Sequence, residues 1–215
     1  MAVDLKGNED VKPRPRSLMP PYVVLRDFLD AATVAGLLDY ALSRQADFTP
    51  TRLESKAVDP SIRVSTALRE LGAYRQILKR KILELVPTLI TRLRVTPFDG
   101  PELETELVAH NDGAFYKRHI DTQTASDGRS IRVLSGVYYF HAEPKAFSGG
   151  ALRLYAIGDS GESVFADVEP VCNSMLVFPS WAPHEVRPVS CPSRRFINSR
   201  FAVNCWVYRR KVAAA

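Results

Sequence analysis

The alternation of apolar and polar residues after Asp99-Gly100 constrains the fold of this chain more than any other feature. Eight short segments with a period of two follow one another, and Asp-Gly, Gly-Gly and proline separate them. They predict strands over 103–110, 114–121, 130–141, 150–157, 162–168, 174–179, 184–189 and 200–208. So many short strands in so few residues are typical of a β-sandwich or an eight-stranded jelly roll.

The first hundred residues have a helical pattern instead. After a strand-like segment over 22–29, Asp30 fits the N-cap position of a helix with apolar residues spaced three and four apart, namely Val34, Leu37, Leu38, Ala41 and Leu42. A second helix is predicted over about 68–94, where Pro87 should kink or divide it. Its inward residues would be Tyr74, Ile77, Leu78, Leu85, Leu89 and Leu93. We therefore expect an α+β, mainly β domain with N-terminal helices packed on one face.

Length and composition favour one globular domain. The chain has 215 residues, of which 46% are hydrophobic and 25% charged. We expect a flexible arm over 1–19 and a single domain over 20–215, with a strand and helices over 20–99 and the jelly-roll core over 100–210. No apolar run approaches the roughly 18 residues that cross a bilayer, and the first residues lack the apolar stretch of a signal peptide. The sequence thus predicts a cytoplasmic protein without a membrane partner.

Charge and cysteine content exclude further classes. The net charge of +5 is mild, and much of it lies in KPRPR, along a predicted helix and in RRK, so nucleic-acid binding is disfavoured. The cysteines Cys172, Cys191 and Cys205 are odd in number and lack paired metal spacing. This argues against a disulfide framework and a zinc knuckle, and predicts buried thiols.

Three His-x-acid pairs are candidates for a metal centre: His110-x-Asp112, His119-x-Asp121 and His141-x-Glu143. Two imidazoles and one carboxylate on one face of Fe(II) leave the opposite positions open for a co-substrate and oxygen. In a strand, residues two apart point to the same side, so one such pair can supply two ligands.

The local context distinguishes the three pairs. Asp112 lies in an Asn-Asp-Gly turn signature, and Glu143 precedes a proline, which is typical of a surface turn. His119 and Asp121 end a strand-like segment without turn residues of their own. A jelly roll would bring the start of a later segment, at His184, beside an earlier strand end. The pair His119-x-Asp121 is therefore the best of the three.

Six segments in a fixed order resemble those of a known family. FYKRHID, RVLSGVYYF, SGGALRLY, FADVEP, PHEVRPV and RFAVNCWVY are similar to segments of the Fe(II)- and 2-oxoglutarate-dependent dioxygenases, in the prolyl 4-hydroxylase-like branch that includes the hypoxia-sensing prolyl hydroxylases. The resemblance covers about residues 103–209. It implies a double-stranded β-helix, a cupin-like jelly roll.

The resemblance also implies roles for particular residues. His119, Asp121 and His184 would be the iron ligands, and they would be catalytic because the bound iron carries out the reaction. Arg200 would pair with the distal carboxylate of 2-oxoglutarate, and Tyr139 would donate a hydrogen bond to it, a core aromatic being the alternative for Tyr139. His110 stands where the hypoxia-sensing enzymes have a tyrosine, and it is the candidate replacement as a cofactor-binding donor.

Two arginine assignments stay open at this point. Arg132 matches an arginine at the mouth that meets substrate, although an exposed strand arginine fits the pattern equally well. Arg194 and Arg195 lie closer to His184 than Arg200 does and are rival anion partners. The alternation of the last strand favours Arg200, because it places Arg200, Ala202, Asn204 and Trp206 on one face.

The implied enzyme uses Fe(II), 2-oxoglutarate and O2, with ascorbate as a candidate reductant, and hydroxylates an unactivated C–H bond. A prolyl residue in a peptide or protein is the favoured substrate, and a free amino acid or small metabolite is the alternative. A non-catalytic jelly-roll module for metal binding or sensing is the rival from another class. The sequence leaves the oligomeric state undetermined. The Gly149-Gly150 pair, which no helix follows, predicts a tight turn or close backbone approach rather than a phosphate cradle.

Overall fold

The computed structural model describes residues 18–52, 57–122, 130–158 and 164–210. Most of the predicted arm over 1–19 therefore lies outside the described residues. The two helices are α1 (Ala31–Ser43) and α2 (Tyr74–Leu93). The strands are β1 (Val23–Leu25), β2 (Thr49–Pro50), β3 (Arg63–Val64), β4 (Thr66–Leu68), β5 (Glu102–His110), β6 (Phe115–His119), β7 (Ser130–Phe140), β8 (Ser148–Gly149), β9 (Leu152–Tyr155), β10 (Phe165–Val168), β11 (Ser174–Pro179), β12 (His184–Val186), β13 (Val189–Ser190) and β14 (Arg200–Arg210).

Two antiparallel sheets form the β domain. The major sheet has seven strands in the order β1-β11-β7-β14-β5-β4-β2, and the minor sheet has five in the order β10-β9-β12-β6-β3. Strands β8 and β13 pair separately. Neighbouring strands are mostly distant in sequence, as jelly-roll crossovers require. The predicted fold class, a double-stranded β-helix with N-terminal helices, is confirmed.

The helices cover the outer face of the major sheet. Helix α1 begins where predicted, because the Asp30 carboxylate accepts the backbone N–H of Thr33 at 2.8 Å and its hydroxyl at 2.6 Å. Helix α2 begins at Tyr74 rather than near 68, since residues up to Leu68 belong to β4. It also continues through Pro87, so the predicted division there is wrong. Burial of the flanking side chains along the core outweighs the one backbone hydrogen bond that proline removes.

The major sheet separates two apolar layers. The outer layer, between this sheet and the helices, includes Leu37, Leu78, Leu107, Tyr138 and Phe201. The inner layer, between the two sheets, includes Val108, Tyr139, Leu154, Leu176 and Ala202. Strand β14 contributes Phe201, Val203, Cys205 and Val207 to the outer layer, and Arg200, Asn204 and Trp206 line a cavity on the inner side. The predicted alternation of this strand is confirmed.

Several predicted boundaries differ from the structure. The segments 114–121 and 150–157 contain shorter strands, and 184–189 divides into β12 and β13. Strand β10 begins at Phe165, and the start of its predicted range lies outside the described residues. Strands β2, β3 and β4 were not predicted, because two or three residues are too few to display a period.

The three cysteines are free thiols, but Cys172 is half-buried rather than buried. Among the described helices, neither has the length and apolar character that crossing a membrane requires.

Candidate metal centre

Two histidines face each other across the minor sheet. His119 at the end of β6 and His184 at the start of β12 are direct partners in the strand register, and their ring centroids lie 4.2 Å apart. Asp121 follows β6, where its backbone N–H donates to the Ser180 carbonyl at 2.9 Å. Ligand atoms of the three side chains lie within 4.8 Å of one another. The structure thus brings together the three residues that the sequence selected, with the composition of a two-histidine, one-carboxylate metal site.

Backbone carbonyls fix both imidazole tautomers. Nδ1 of His119 lies 2.8 Å from the Lys117 carbonyl, and Nδ1 of His184 lies 2.9 Å from the Ala182 carbonyl. A carbonyl only accepts, so each Nδ1 carries the proton and donates it. Each Nε2 is left as a free electron-pair donor, 3.6 Å from an oxygen of Asp121. Hydrogen bonds of this kind orient histidines that ligate metals.

The electrostatics of the cluster suit a cation. Burial alone would raise the pKa of Asp121, but the two histidines and the Ser135 hydroxyl outweigh it and hold that pKa well below its usual range. Burial, with a contribution from His119, lowers the pKa of His184 to about 4. A carboxylate that stays ionised and an imidazole that stays neutral are the forms that bind a divalent metal.

The Asp121 carboxylate has two further contacts that the sequence did not predict. Its Oδ2 accepts from the Ser135 hydroxyl at 2.7 Å and from the Trp206 indole N–H at 3.0 Å. The alternation of β14 placed Trp206 on the cavity side, but no local pattern marked Ser135. Its proximity to Asp121 depends on how β7 passes the end of β6.

A buried arginine lines the same cavity. Arg200 is 1% exposed, its Nε donates to the Gly150 carbonyl at 2.8 Å, and its Nη1 donates to Nδ1 of His110 at 3.3 Å. Among the residues that the structure describes, its Nη2 has no hydrogen-bond partner, and neither has the hydroxyl of buried Tyr139, whose ring lies 4.9 Å from the guanidinium carbon. No carboxylate of the described residues lies within 4.0 Å of this guanidinium. The Arg200 guanidinium and the Tyr139 hydroxyl are therefore two buried polar groups that lie close together and have unused donors.

Strand pairing explains this convergence. Arg200 is opposite His110 on β5, and Ala202 is opposite Tyr139 on β7. Burial, then the nearby arginines Arg200 and Arg63, lower the pKa of His110 well below its usual range. His110 is therefore a neutral imidazole that accepts at Nδ1 and keeps its proton on Nε2. Burial also raises the pKa of Tyr139 to about 12, so its hydroxyl remains a donor.

The Gly149-Gly150 pair allows the backbone to approach Arg200. Gly150 has φ +72°, and a Cβ there would lie 2.6 Å from Cδ of Arg200. A Cβ on Gly149 would lie 2.4 Å from the Pro188 carbonyl oxygen. The predicted close backbone approach is confirmed at both positions.

The other two His-x-acid pairs lie in different surroundings. Asp112 accepts from the backbone N–H of Cys191 at 2.9 Å and from Nε of Arg194 at 3.2 Å, within the predicted turn. Arg194 is on the surface, with 79% of its side chain exposed. His141 converges with Glu143 and Cys172, but Glu143 is 68% exposed. His110 lines the same cavity as Arg200, but its partner Asp112 does not, and neither residue of the His141 pair lines it.

The cavity that joins these groups has a volume of about 360 Å³. His119, Asp121, His184 and Arg200 line it. Arg132 lines it as well, but only 11% of its side chain is exposed, because its guanidinium lies 4.1 Å from the centre of the Trp206 ring and bonds to Tyr208 and Glu104. Arg132 is therefore not the exposed strand arginine that the sequence left open as an alternative.

The sequence of this chain is similar to those of known proteins. Residues 105–208 match the family model of the 2OG-Fe(II) oxygenase superfamily. An uncharacterized PKHD-type hydroxylase of Synechocystis sp. is 32% identical over 194 residues, which are 88% of this chain and 63% of that protein. The chain thus spans less than two thirds of the length of this relative.

Solved structures agree with this class. A prolyl-4-hydroxylase of Pseudomonas putida is 27% identical with a TM-score of 0.63, over 89% of this chain and 94% of that one. A prolyl hydroxylase of Trichoplax adhaerens, solved with a peptide fragment of the hypoxia inducible factor oxygen degradation domain, shares the fold at 21% identity and a TM-score of 0.67, over 88% of this chain and 84% of that one. Over residues 105–208 the chain is similar to the 2OG-Fe(II) oxygenase superfamily, and its relatives place that similarity in the prolyl 4-hydroxylase-like branch. The resemblance drawn from the six segments is confirmed.

Proposed function

We propose that the protein is a 2-oxoglutarate-dependent Fe(II) dioxygenase that hydroxylates an unactivated C–H bond. His119 and His184 would bind Fe(II) through Nε2, and Asp121 would bind it through its carboxylate. The donor set fits the metal, because neutral imidazoles with one carboxylate leave positions open for other ligands. The family implies the same cofactors, Fe(II) and 2-oxoglutarate.

The observation that carries this proposal is the buried, unpaired guanidinium beside the three-ligand cluster. A buried positive charge without an anion is costly, and a bound carboxylate would compensate it. Nη2 of Arg200 and the hydroxyl of Tyr139 are the donors that such a carboxylate requires. A dicarboxylate with one end on Arg200 and the other on the metal fits both features. The alternative, a metal-binding or sensing module without catalysis, would not explain the buried guanidinium.

The residues of this chain divide the work of the reaction. Arg200 and Tyr139 would bind the far carboxylate of 2-oxoglutarate, with Nε2–H of His110 as a third donor, and small Ala202 leaves room between them. When bound, Fe(II) supplies the chemistry that couples conversion of 2-oxoglutarate and O2 into succinate and CO2 to insertion of one oxygen atom into the substrate. The two sheets shield the co-substrate from bulk water, and the cavity mouth admits the substrate.

We propose a prolyl residue in a peptide or protein as the substrate. Two similarities support this class: the Pseudomonas putida relative is a prolyl-4-hydroxylase, and the Trichoplax adhaerens enzyme was solved with a peptide. Arg132 would contact the substrate through the part of its guanidinium that does not stack on Trp206. Ascorbate would serve as the reductant that keeps the iron ferrous, and the cytoplasm would be the place of action.

The test is turnover with proline-containing peptides. The protein, loaded with Fe(II) and supplied with 2-oxoglutarate and ascorbate in air, should form succinate and peptides that carry one added oxygen in mass spectrometry. His119→Ala should form neither product, whereas His141→Ala, a histidine of another His-x-acid pair, should form both. Equal succinate formation by His119→Ala and the wild type would contradict the site. Oxygenated free amino acids without oxygenated peptides would contradict the substrate class.

A further inference from the structure

The Asp121 carboxylate is held asymmetrically. Its Oδ2 accepts both hydrogen bonds, from Ser135 and from Trp206, while its Oδ1 lies 3.6 Å from Nε2 of His119. Each carboxylate oxygen offers about two lone pairs to donors or metals. The two hydrogen bonds therefore engage Oδ2, and Oδ1 is the oxygen that remains available to a metal ion.

The two donors are themselves fixed in place. The Ser135 hydroxyl is buried on β7 and lies 3.0 Å from the hydroxyl of Ser180. The Ser180 carbonyl in turn accepts the backbone N–H groups of Asp121 and Thr122. A single residue thus supports both the backbone and the side-chain partner of Asp121.

The indole is held by its stacking partner. The Arg132 guanidinium lies 4.1 Å from the centre of the Trp206 ring, and its Nε donates to the Tyr208 hydroxyl at 2.8 Å. Its Nη2 donates to Glu104 at 3.1 Å. Cation–π contact on a guanidinium that is anchored twice restricts the tilt of the ring, and therefore the direction of its N–H.

The choice of oxygen has a consequence for the metal. Oδ2 lies only 3.6 Å from Nε2 of His184, so distance alone would let both oxygens reach the same ion. A six-coordinate ion held by two imidazoles and one carboxylate oxygen keeps three open positions, whereas a two-oxygen carboxylate would leave two. A co-substrate that chelates through two atoms, together with O2, needs three.

We propose that Ser135 and Trp206 are positioning residues that restrict Asp121 to one-oxygen coordination and so keep the third position open. This inference rests on the proposed function, since it presumes a metal on His119, Asp121 and His184. The two residues would act through Asp121, without being ligands of the metal themselves. Their effect is on how many ligands the metal can accept, more than on whether it binds.

The experiment counts open positions with Mn²⁺, without turnover. Exchangeable water on bound Mn²⁺ enhances the relaxation of solvent protons in proportion to the number of such waters. We expect about three waters in the wild type and about two in the Ser135→Ala/Trp206→Phe double variant, from the coordination argument. The Mn²⁺ affinity should fall by about 10-fold, at the lower end of the effects of residues that support metal ligands.

Matched variants separate positioning from structural damage. Ser135→Thr keeps the hydroxyl and should restore the wild-type water number. Ser174→Ala removes another buried serine of the major sheet, which bonds the Val171 carbonyl, and should leave the number unchanged. Trp206→Phe alone keeps an aromatic ring beside Arg132 and tests the indole N–H if the double variant unfolds.

The outcomes for the two proposals are distinct. If the wild type binds Mn²⁺ and the double variant has the same number of waters, the positioning role is wrong and the proposed function stands. If His119→Ala binds Mn²⁺ as tightly as the wild type, the metal site itself is wrong. A loss of water in Ser174→Ala equal to that in the double variant would mean that general loosening of the sheet, rather than the hold on Oδ2, sets the number.

Discussion

The two faces of the major sheet differ although the same strands supply both. On β14, Phe201, Val203 and Cys205 join the outer layer, an apolar cluster that also includes side chains of both helices. Their immediate neighbours Arg200 and Asn204 face the cavity on the inner side. One face is therefore apolar and fully packed, and the other presents polar groups, some without partners.

This difference separates stability from chemistry. Apolar burial in the outer layer supplies the free energy that holds the sheet in place. The inner face carries a buried guanidinium and a buried carboxylate, which cost free energy until their ligands bind. A sheet anchored from one side can hold such groups close together on the other side, where they are available for ligands.

The largest expected effect is that single substitutions on the two faces change different properties, metal affinity on the inner face and stability on the outer face. His119→Ala should reduce metal affinity by about 100-fold or more, with little change in the free energy of unfolding of the metal-free protein. Leu107→Ala, on the outer face of β5, should lower that free energy by about 2–5 kcal/mol while the folded protein still binds metal. Metal titration and denaturant unfolding of both variants measure this. A Leu107→Ala protein that is fully folded but cannot bind metal would break the comparison.

Arg200 tests whether the buried guanidinium serves a ligand or the fold. Removing one partner of a buried ion pair costs about 3–5 kcal/mol, so Arg200→Leu should weaken 2-oxoglutarate binding by about 100-fold or more with metal still bound. Arg194→Leu, in the exposed rival position, should have no effect. Titration of 2-oxoglutarate into the metal-loaded variants decides between them. Weak binding by Arg194→Leu and normal binding by Arg200→Leu would show that the loop arginine holds the anion.

A substitution at Gly150 should displace the Arg200 side chain without removing it, and its effect should therefore be smaller than that of Arg200→Leu. The added methyl of Gly150→Ala would meet Cδ of Arg200 at 2.6 Å, so the guanidinium must shift and 2-oxoglutarate affinity should fall by about 10-fold, an effect of about 1.4 kcal/mol. Gly100→Ala is the control, because Gly100 also has a positive φ but no atom of the described part of the chain lies within 4 Å of a Cβ added there. Gly100→Ala should lower stability only. Equal affinities in the two variants would mean that Arg200 has room to adjust.

The most gradual expected effect is a pH dependence of stability that originates on the inner face. The pKa of His184 is about 4 in the folded protein and about 6.5 in the unfolded chain, so the unfolded state binds the proton first as the pH falls. The free energy of unfolding of the metal-free protein should therefore be constant above pH 6.5 and fall by as much as ~3 kcal/mol toward pH 4. His110, whose pKa is also lowered, acts in the same direction.

Denaturant unfolding at a series of pH values between 7.5 and 4.5 measures this slope. His110→Leu should make it shallower, because one of the two neutral buried imidazoles is gone. A free energy of unfolding that is the same at both ends of the series would contradict the buried, neutral state of these histidines.

The local sequence determined the elements whose signals are local. Alternation over β5, β7, β11 and β14 was long enough to predict these strands, and the side chain of Asp30 marked the start of α1. The same alternation assigned Arg200 to the cavity face. The order of six segments identified the family, and with it His119, Asp121 and His184.

Only the tertiary structure decided what depends on strands that are far apart in the chain. Sheet register brings Ser135 to Asp121 and pairs Arg200 with His110. It also stacks Arg132 on Trp206, so that Arg132 is not exposed. The passage of α2 through Pro87 likewise depends on a core that the local pattern does not contain. A period of two assigns each side chain to a face, but which residues meet on that face is set by the packing of distant strands.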